Sequence, residues 1–357
     1  LDETNGVAEV GGRYYASLQN AVDNAGKGET VTLLQDTAED IVIPEGAELT
    51  LNLNGKTLTN HEDHTITNKG TLTITGDGTV DNVTHARAAI QNEPGGNVVL
   101  NGGAYTRSKE NGQNAEASGG NSYYNIVNHG TMEINSGVSV TQNGQFSSMI
   151  ENGWYNGSQN TGKENSVLTI NGGTFSGGLN TIKNDDYGEL VINDGTFTSM
   201  SQAAFLNWNV ATVNGGTFDA AGASNGVILN GYIDGTMDQG KLTINGKDYT
   251  VRELASQEMK NSAGATWDAA TAGNAINTWT ASFGDQIDIV ASNNDGMGMA
   301  MFNAWSKANN VPTFGYDANA DAVAAIADGY GGTISQHADV QAYLTLRVLR
   351  NALDGVD

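Results

Sequence analysis

Apolar and polar residues alternate in short runs along most of this chain, and the runs return at a nearly fixed interval. One series reads Ile66-Thr67-Asn68, Ile90-Gln91-Asn92, Ile126-Val127-Asn128, Ile150-Glu151-Asn152, Ile182-Lys183-Asn184, Phe205-Leu206-Asn207 and Ile228-Leu229-Asn230. Its asparagines are separated by 24, 36, 24, 32, 23 and 23 residues. A second series follows each triplet, among its members Leu72-Thr73-Ile74, Leu168-Thr169-Ile170 and Leu190-Val191-Ile192. In three places it runs on through a Gly-Thr pair to Phe175, Phe197 and Phe218. Alternation with period two, broken by Gly and Asn, predicts short strands joined by tight turns.

Such a strand has one apolar side and cannot bury it alone. Stacking the repeats at the ~4.8 Å strand spacing would place Ile on Ile and Phe on Phe in one continuous core. The predicted fold class is therefore mainly β: a right-handed parallel β-helix over residues 40–252, each coil holding an Ile-x-Asn turn and a following strand pair. The asparagine falls on the same side as the isoleucine, where its amide can bond to the asparagine of the next coil. The two long intervals mark insertions at about 106–122 and 154–165, rich in Gly, Asn and Ser and expected as surface loops. Ahead of the repeat, Ser17 suits a helix N-cap, and Leu18, Ala21 and Val22 share one helical face. Residues 1–39 read as an N-terminal cap carrying a capping helix.

From about residue 253 the period changes. Thr266 is a candidate cap for a helix with Ala272, Ala275, Ile276 and Trp279 on one face. Strands at Ile287–Ala291, Val311–Tyr316 and Gly332–Ser335 alternate with helices opening at Asp295, carrying Val323 and Ile326, and carrying Val340, Leu344 and Val348. Residues 253–357 thus read as a partial α/β lobe with a parallel sheet. In such sheets ligands sit at the carboxyl ends of the strands. Those ends hold Asn293-Asn294-Asp295, Asp317 and Gln336-His337.

Charge narrows the partners. The chain has 357 residues, a formal net charge of -24 and only 16 Lys plus Arg, so it would repel duplex nucleic acid and anionic membranes. It has no cysteine, which excludes disulfides and thiolate chemistry. No run approaches the ~20 apolar residues of a membrane span, so membrane insertion is not expected.

The Leu53-Asn54-Gly55-Lys56-Thr57-Leu58 stretch and the Gly-Thr-Phe coils resemble β-helix repeat proteins exported by Gram-positive bacteria. The C-terminal motifs resemble a second family. Thr266-Trp267-Asp268, Ser292-Asn293-Asn294-Asp295-Gly296-Met297, Phe314-Gly315-Tyr316-Asp317-Ala318 and Gly332-Thr333-Ile334-Ser335-Gln336 are similar to the second lobe of glucose/galactose-binding proteins of ABC sugar uptake. That resemblance implies that Trp267 stacks on a sugar ring while Asn294, Asp317 and Gln336 bond its hydroxyls. Gln336 stands where the galactose binders have Asn. The first lobe has no counterpart, so another chain or segment would have to complete the site, and a half-enclosed sugar is expected to bind no better than about millimolar. The family's Asp-rich calcium loop has no counterpart either. Asp288 alone is not a calcium site, and no cofactor is implied.

The residues offer three further candidates. Trp154, Tyr155, Tyr187, Trp208 and Tyr232 follow the internal asparagines on successive coils and would form an outward aromatic edge. A glycan platform and simple packing against the 154–165 loop both fit it. Asp185 and Asp186 are carboxylates for a lyase or glycosidase reading, but no recurrent basic cluster or carboxylate partner stands out, so no catalytic residue is assigned. His61-Glu62-Asp63-His64 reads as a solvated turn, and no metal is assigned. The sequence taken alone predicts a non-enzymatic exported protein, extracellular or at the cell surface, whose partner is carbohydrate. The alternatives are a solute-binding component of a galactose/glucose ABC uptake system, and a β-helix lyase or glycosidase.

Overall fold

The computed structural model describes residues 1–110, 122–154, 163–231, 240–245, 247–249 and 254–335. The chain divides into two compact units, Leu1–Thr250 and Val251–Asp357.

In the first unit the strands form three large sheets, of 12, 8 and 8 strands. The chain visits them in fixed rotation. Glu48–Asn52 lies in the 12-stranded sheet, Lys56–Thr59 in the second and Ile66–Asn68 in the third, before Thr71–Thr75 returns to the first beside Glu48–Asn52. Pairing inside the sheets is parallel, but both ends of the 12-stranded sheet are antiparallel. Ala8–Val10 pairs with Arg13–Tyr15 at one end, and Lys241–Ile244 with Lys247–Tyr249 at the other. The expected right-handed parallel β-helix with an Ile-x-Asn turn in each coil is corrected accordingly. The residues form three extended, mainly parallel sheets with few helices, and the Ile-x-Asn triplets are strands of the third sheet. Ile126, Val127 and Asn128 pair residue for residue with Ile90, Gln91 and Asn92 on one side and Ile150, Glu151 and Asn152 on the other. A turn could not offer ladder partners on both sides.

The N-terminal segment also contributes strands, since Ala8–Val10, Arg13–Tyr15 and Glu29–Leu33 all belong to the 12-stranded sheet. Its helix, Leu18–Asn24, is capped by Ser17, whose hydroxyl accepts from the Asn20 amide, and it buries Leu18, Ala21 and Val22.

The core of this unit is one continuous cluster running from Ala8 to Leu242. Equivalent side chains stack: the rings of Phe175 and Phe197 lie 4.7 Å apart, and those of Phe197 and Phe218 lie 4.8 Å apart. The buried asparagines form an unbroken ladder. Nδ2 of Asn68, Asn92, Asn128, Asn152 and Asn184 each donates to Oδ1 of the next at 2.8 Å, and Asn207 donates to Asn230 at 2.7 Å. A second, exposed ladder links Asn214, Asn193, Asn171, Asn135 and Asn101.

The start of the first insertion is not a surface loop. Arg107 and Glu110 are fully buried and ion-paired at 3.1 Å, and Glu110 also accepts from Gln142 Nε2 and the Tyr123 amide. Desolvation lowers the Arg107 pKa and raises that of Glu110. Composition pointed outward here because burial depends on this specific partner set. Residues 111–121 and 155–162 lie outside the described residues.

The second unit opens with the helix Ala269–Phe283, which buries Ala272, Ala275 and Ile276. Its cap is Asp268 rather than Thr266: the Asp268 carboxylate accepts from the Thr271 amide at 2.7 Å. Strands Val290–Ala291, Thr313–Tyr316 and Gly332–Ile334 form a parallel sheet in chain order. Helix Asp295–Met301 follows the first strand and runs into a π-helical turn at Phe302–Ser306; helix Ala320–Ala325 follows the second. The expected helix carrying Val340, Leu344 and Val348 lies outside the described residues.

Candidate functional site

Because the three strands of the second unit are parallel and adjacent, their carboxyl ends fall on one edge. Ala291 pairs with Phe314, and Tyr316 with Ile334. The structure therefore brings the segments holding Asn294 and Asp317 together. Asn294 is the N-cap of helix Asp295–Met301, its Oδ1 accepting from the Met297 amide at 2.8 Å. That bond fixes the side chain at the start of the helix. Asp317 has a positive φ of 118°, and Ala318 follows at 56°. The turn is held by Asp317 N donating to Ile334 O at 2.9 Å and by Ala318 N donating to Thr333 Oγ1 at 3.0 Å. Non-glycine residues in this region store strain that the surrounding bonds must offset.

Asp295 opens the helix directly after Asn294. It is 1% exposed, and its Oδ2 accepts from the Asn319 amide at 2.7 Å, tying the loop after the second strand to the start of the helix after the first. Tyr330 lies against it, and burial followed by the Asp295 charge pushes the Tyr330 hydroxyl up to about 12. Gly315 makes room for both, because a Cβ there would collide with Asp295 Oδ1 and the Tyr330 hydroxyl. Only a Gly between alternating exposed aromatics hinted at this close approach.

Trp267 lies on a different segment, just ahead of the first helix. Its φ is +68° and it is 60% exposed. Gln336 lies outside the described residues.

In the first unit, Trp154, Tyr187 and Trp208 are half-buried rather than bare, and Tyr155 and Tyr232 lie outside the described residues. The His129 ring stacks on Trp154 at 3.8 Å, with Lys163 Nζ 4.3 Å from the Trp154 ring centre. Lys183 Nζ sits 4.4 Å from the Trp208 ring centre and 2.7 Å from Asp185. Burial, with an opposing contribution from Lys183, raises the Asp185 pKa. Trp154 and Trp208 thus each pack against charged or aromatic neighbours.

The two histidines of the 61–64 segment diverge. His61 is exposed, whereas His64 is largely buried and its Nδ1 accepts from the Ala88 amide at 2.8 Å. Asp63 is held by Arg87 at 2.6 Å. Among the described residues no group of three or more His, Asp or Glu side chains is placed to hold a metal ion. Nor is any described helix long and apolar enough to cross a membrane.

Comparison with known proteins bears on the second unit. A family model of the periplasmic binding protein domain matches residues 241–357. A xylitol-binding protein of Mycolicibacterium smegmatis is 31% identical over 141 residues, which is 38% of this chain and 39% of that protein. The family match begins at Lys241, yet Lys241–Ile244 pairs in register with Val210–Val213 and belongs to the 12-stranded sheet. Most of the match falls in the second unit, which is similar to a periplasmic-binding-protein lobe.

Proposed function

We propose that the chain acts as a solute-binding component of sugar or sugar-alcohol uptake, outside the cytoplasm, and that the second unit holds its ligand. The observation that carries this reading is the shared carboxyl edge of the three strands, where Asn294 and the strained Asp317 turn are fixed side by side. A capping amide and a carboxylate in a constrained turn suit the donor and acceptor hydroxyls of a polyol. The name of the xylitol-binding relative and the family match support the same ligand class. In this reading Trp267 supplies an apolar face and Gln336 a further polar contact. Asp295 acts through its bond to Asn319, positioning the Asp317 loop without touching ligand.

The family match and the xylitol-binding relative favour this function over that of a carbohydrate-binding or adhesive surface protein. Equilibrium dialysis of the full chain against labelled xylitol, ribose, glucose and galactose tests it. Saturable retention of at least one is expected. Retention that rises linearly with concentration for all four would contradict it.

A further inference from the structure

The three-sheet unit carries an open cleft of about 470 Å3 on the third sheet. In each strand of this sheet the first and third residues of the triplet enter the core, so the central residue faces the other way. Glu151, Lys183 and Leu206 are those central residues on three successive strands, in register with one another. They form the cleft floor and are only 4%, 7% and 6% exposed. Leu206 is buried without belonging to the unit's core cluster, so it is covered on the side of the sheet away from that core.

Tyr123, Tyr124 and Phe146 also line the cleft, the two tyrosine rings meeting edge to face at 5.2 Å. The floor continues in hydrogen-bonding groups: Asn180 Nδ2 donates to Gln202 Oε1 at 2.8 Å and to Ser148 Oγ at 3.1 Å. Lys183 is held between the Asp185 carboxylate and the Trp208 ring, so a buried cation faces the cleft in one fixed place.

Aromatic faces beside fixed polar groups match a sugar ring, whose C–H faces stack while its hydroxyl rim takes hydrogen bonds. Three strands at the usual spacing span about 10 Å, enough for more than one ring. Charge selects the class of sugar. Lys183 is already paired with Asp185, Glu151 adds a negative charge, and the whole chain carries -24, so an acidic glycan would be repelled. We infer that this cleft binds a neutral oligosaccharide laid across the strands. Phe146 and Tyr124 stack on its rings, and Glu151 and Lys183 bond its hydroxyls. The site lies on the first unit and does not depend on the lobe.

The test is calorimetric titration of the full chain with cellotetraose, xylotetraose and mannotetraose, and with tetragalacturonate as the acidic comparison. At least one neutral tetrasaccharide should bind saturably and more tightly than tetragalacturonate. Phe146→Ala, at a side chain 43% exposed, should weaken binding about fivefold with the melting temperature unchanged. Glu151→Gln, which keeps the volume, should also weaken it. A loss in either variant supports the site. No binding of any neutral tetrasaccharide, a preference for tetragalacturonate, or affinity unchanged in both variants would overturn it. Failure of monosaccharide binding at the lobe would leave this titration untouched, so the two readings fail separately.

Discussion

Asn152 and Asn184 are 32 residues apart in sequence, yet Asn152 Nδ2 donates to Asn184 Oδ1 at 2.8 Å in the same geometry that links the more closely spaced pairs. The insertion between them leaves the register intact. Each ladder amide also reaches a backbone carbonyl on a neighbouring strand, Asn152 bonding to Glu189 O at 3.1 Å. The ladder is therefore tied into two sheets at every step. Asn152→Ala should orphan buried donors and acceptors on both neighbours and cost about 2–4 kcal/mol. Asn230→Ala, at the half-buried end, should cost about 1 kcal/mol. Urea denaturation of both variants checks the contrast, and equal losses would mean that the ladder contributes through side-chain volume alone.

Ile126 is fully buried between Ile90 and Ile150. Ile126→Asp places a charge in a dry stack whose neighbouring strands depend on it. The first unit is expected to lose its cooperative transition by circular dichroism, while Ile126→Val should cost about 1 kcal/mol. Wild-type melting of the Asp variant would contradict the packing described.

His64 and His129 both have pKa values lowered to about 4, chiefly by burial. The unfolded chain binds these protons near the ordinary value of about 6.5, before the folded chain does. Stability is thus unaffected above that value and falls as pH drops through the window from about 6.5 to about 4. The melting temperature of wild type should fall between pH 7 and pH 5 more than that of a His64→Asn/His129→Asn double variant. Parallel curves would show that the two rings titrate normally.

Much of this arrangement was legible in the sequence because strands that stack in register must repeat their apolar spacing. The Ile-x-Asn and Leu-x-Ile series located the inward residues, including every rung of the asparagine ladder. What the spacing could not show was which segments were strands and which were turns, since a triplet in either role repeats equally well. It also missed the buried Arg107–Glu110 pair, whose neighbours Gln142 and Tyr123 come from distant parts of the chain. In the lobe the strand ends were legible from the switch to alternating strand and helix. The Asp295–Asn319 tie was not, because nothing in a sequence marks which carboxylate will be buried.

Gly315 tests that tie. Gly315→Ala would drive a methyl group into Asp295 and Tyr330, both buried. The expected result is a lower melting temperature for the second unit and loss of ligand binding, with the first unit's transition unmoved. Asp295→Asn, which keeps the shape, should hold the fold and weaken binding by a smaller factor. If Gly315→Ala binds ligand as wild type does, the close approach at this edge is not what fixes the Asp317 loop.

The proposed ligand site is the carboxyl edge of the lobe's strands, where Asn294 and Asp317 would hold a sugar or sugar alcohol. Calorimetric titration of the full chain with xylitol, ribose, glucose and galactose, repeated on Asp317→Ala, tests it most directly. Saturable binding of at least one of the four is expected, with a loss of about tenfold or more in the variant, as follows when a hydrogen-bonding partner of the ligand is removed. Saturable binding that Asp317→Ala leaves unchanged, or no binding of any of the four, would contradict it.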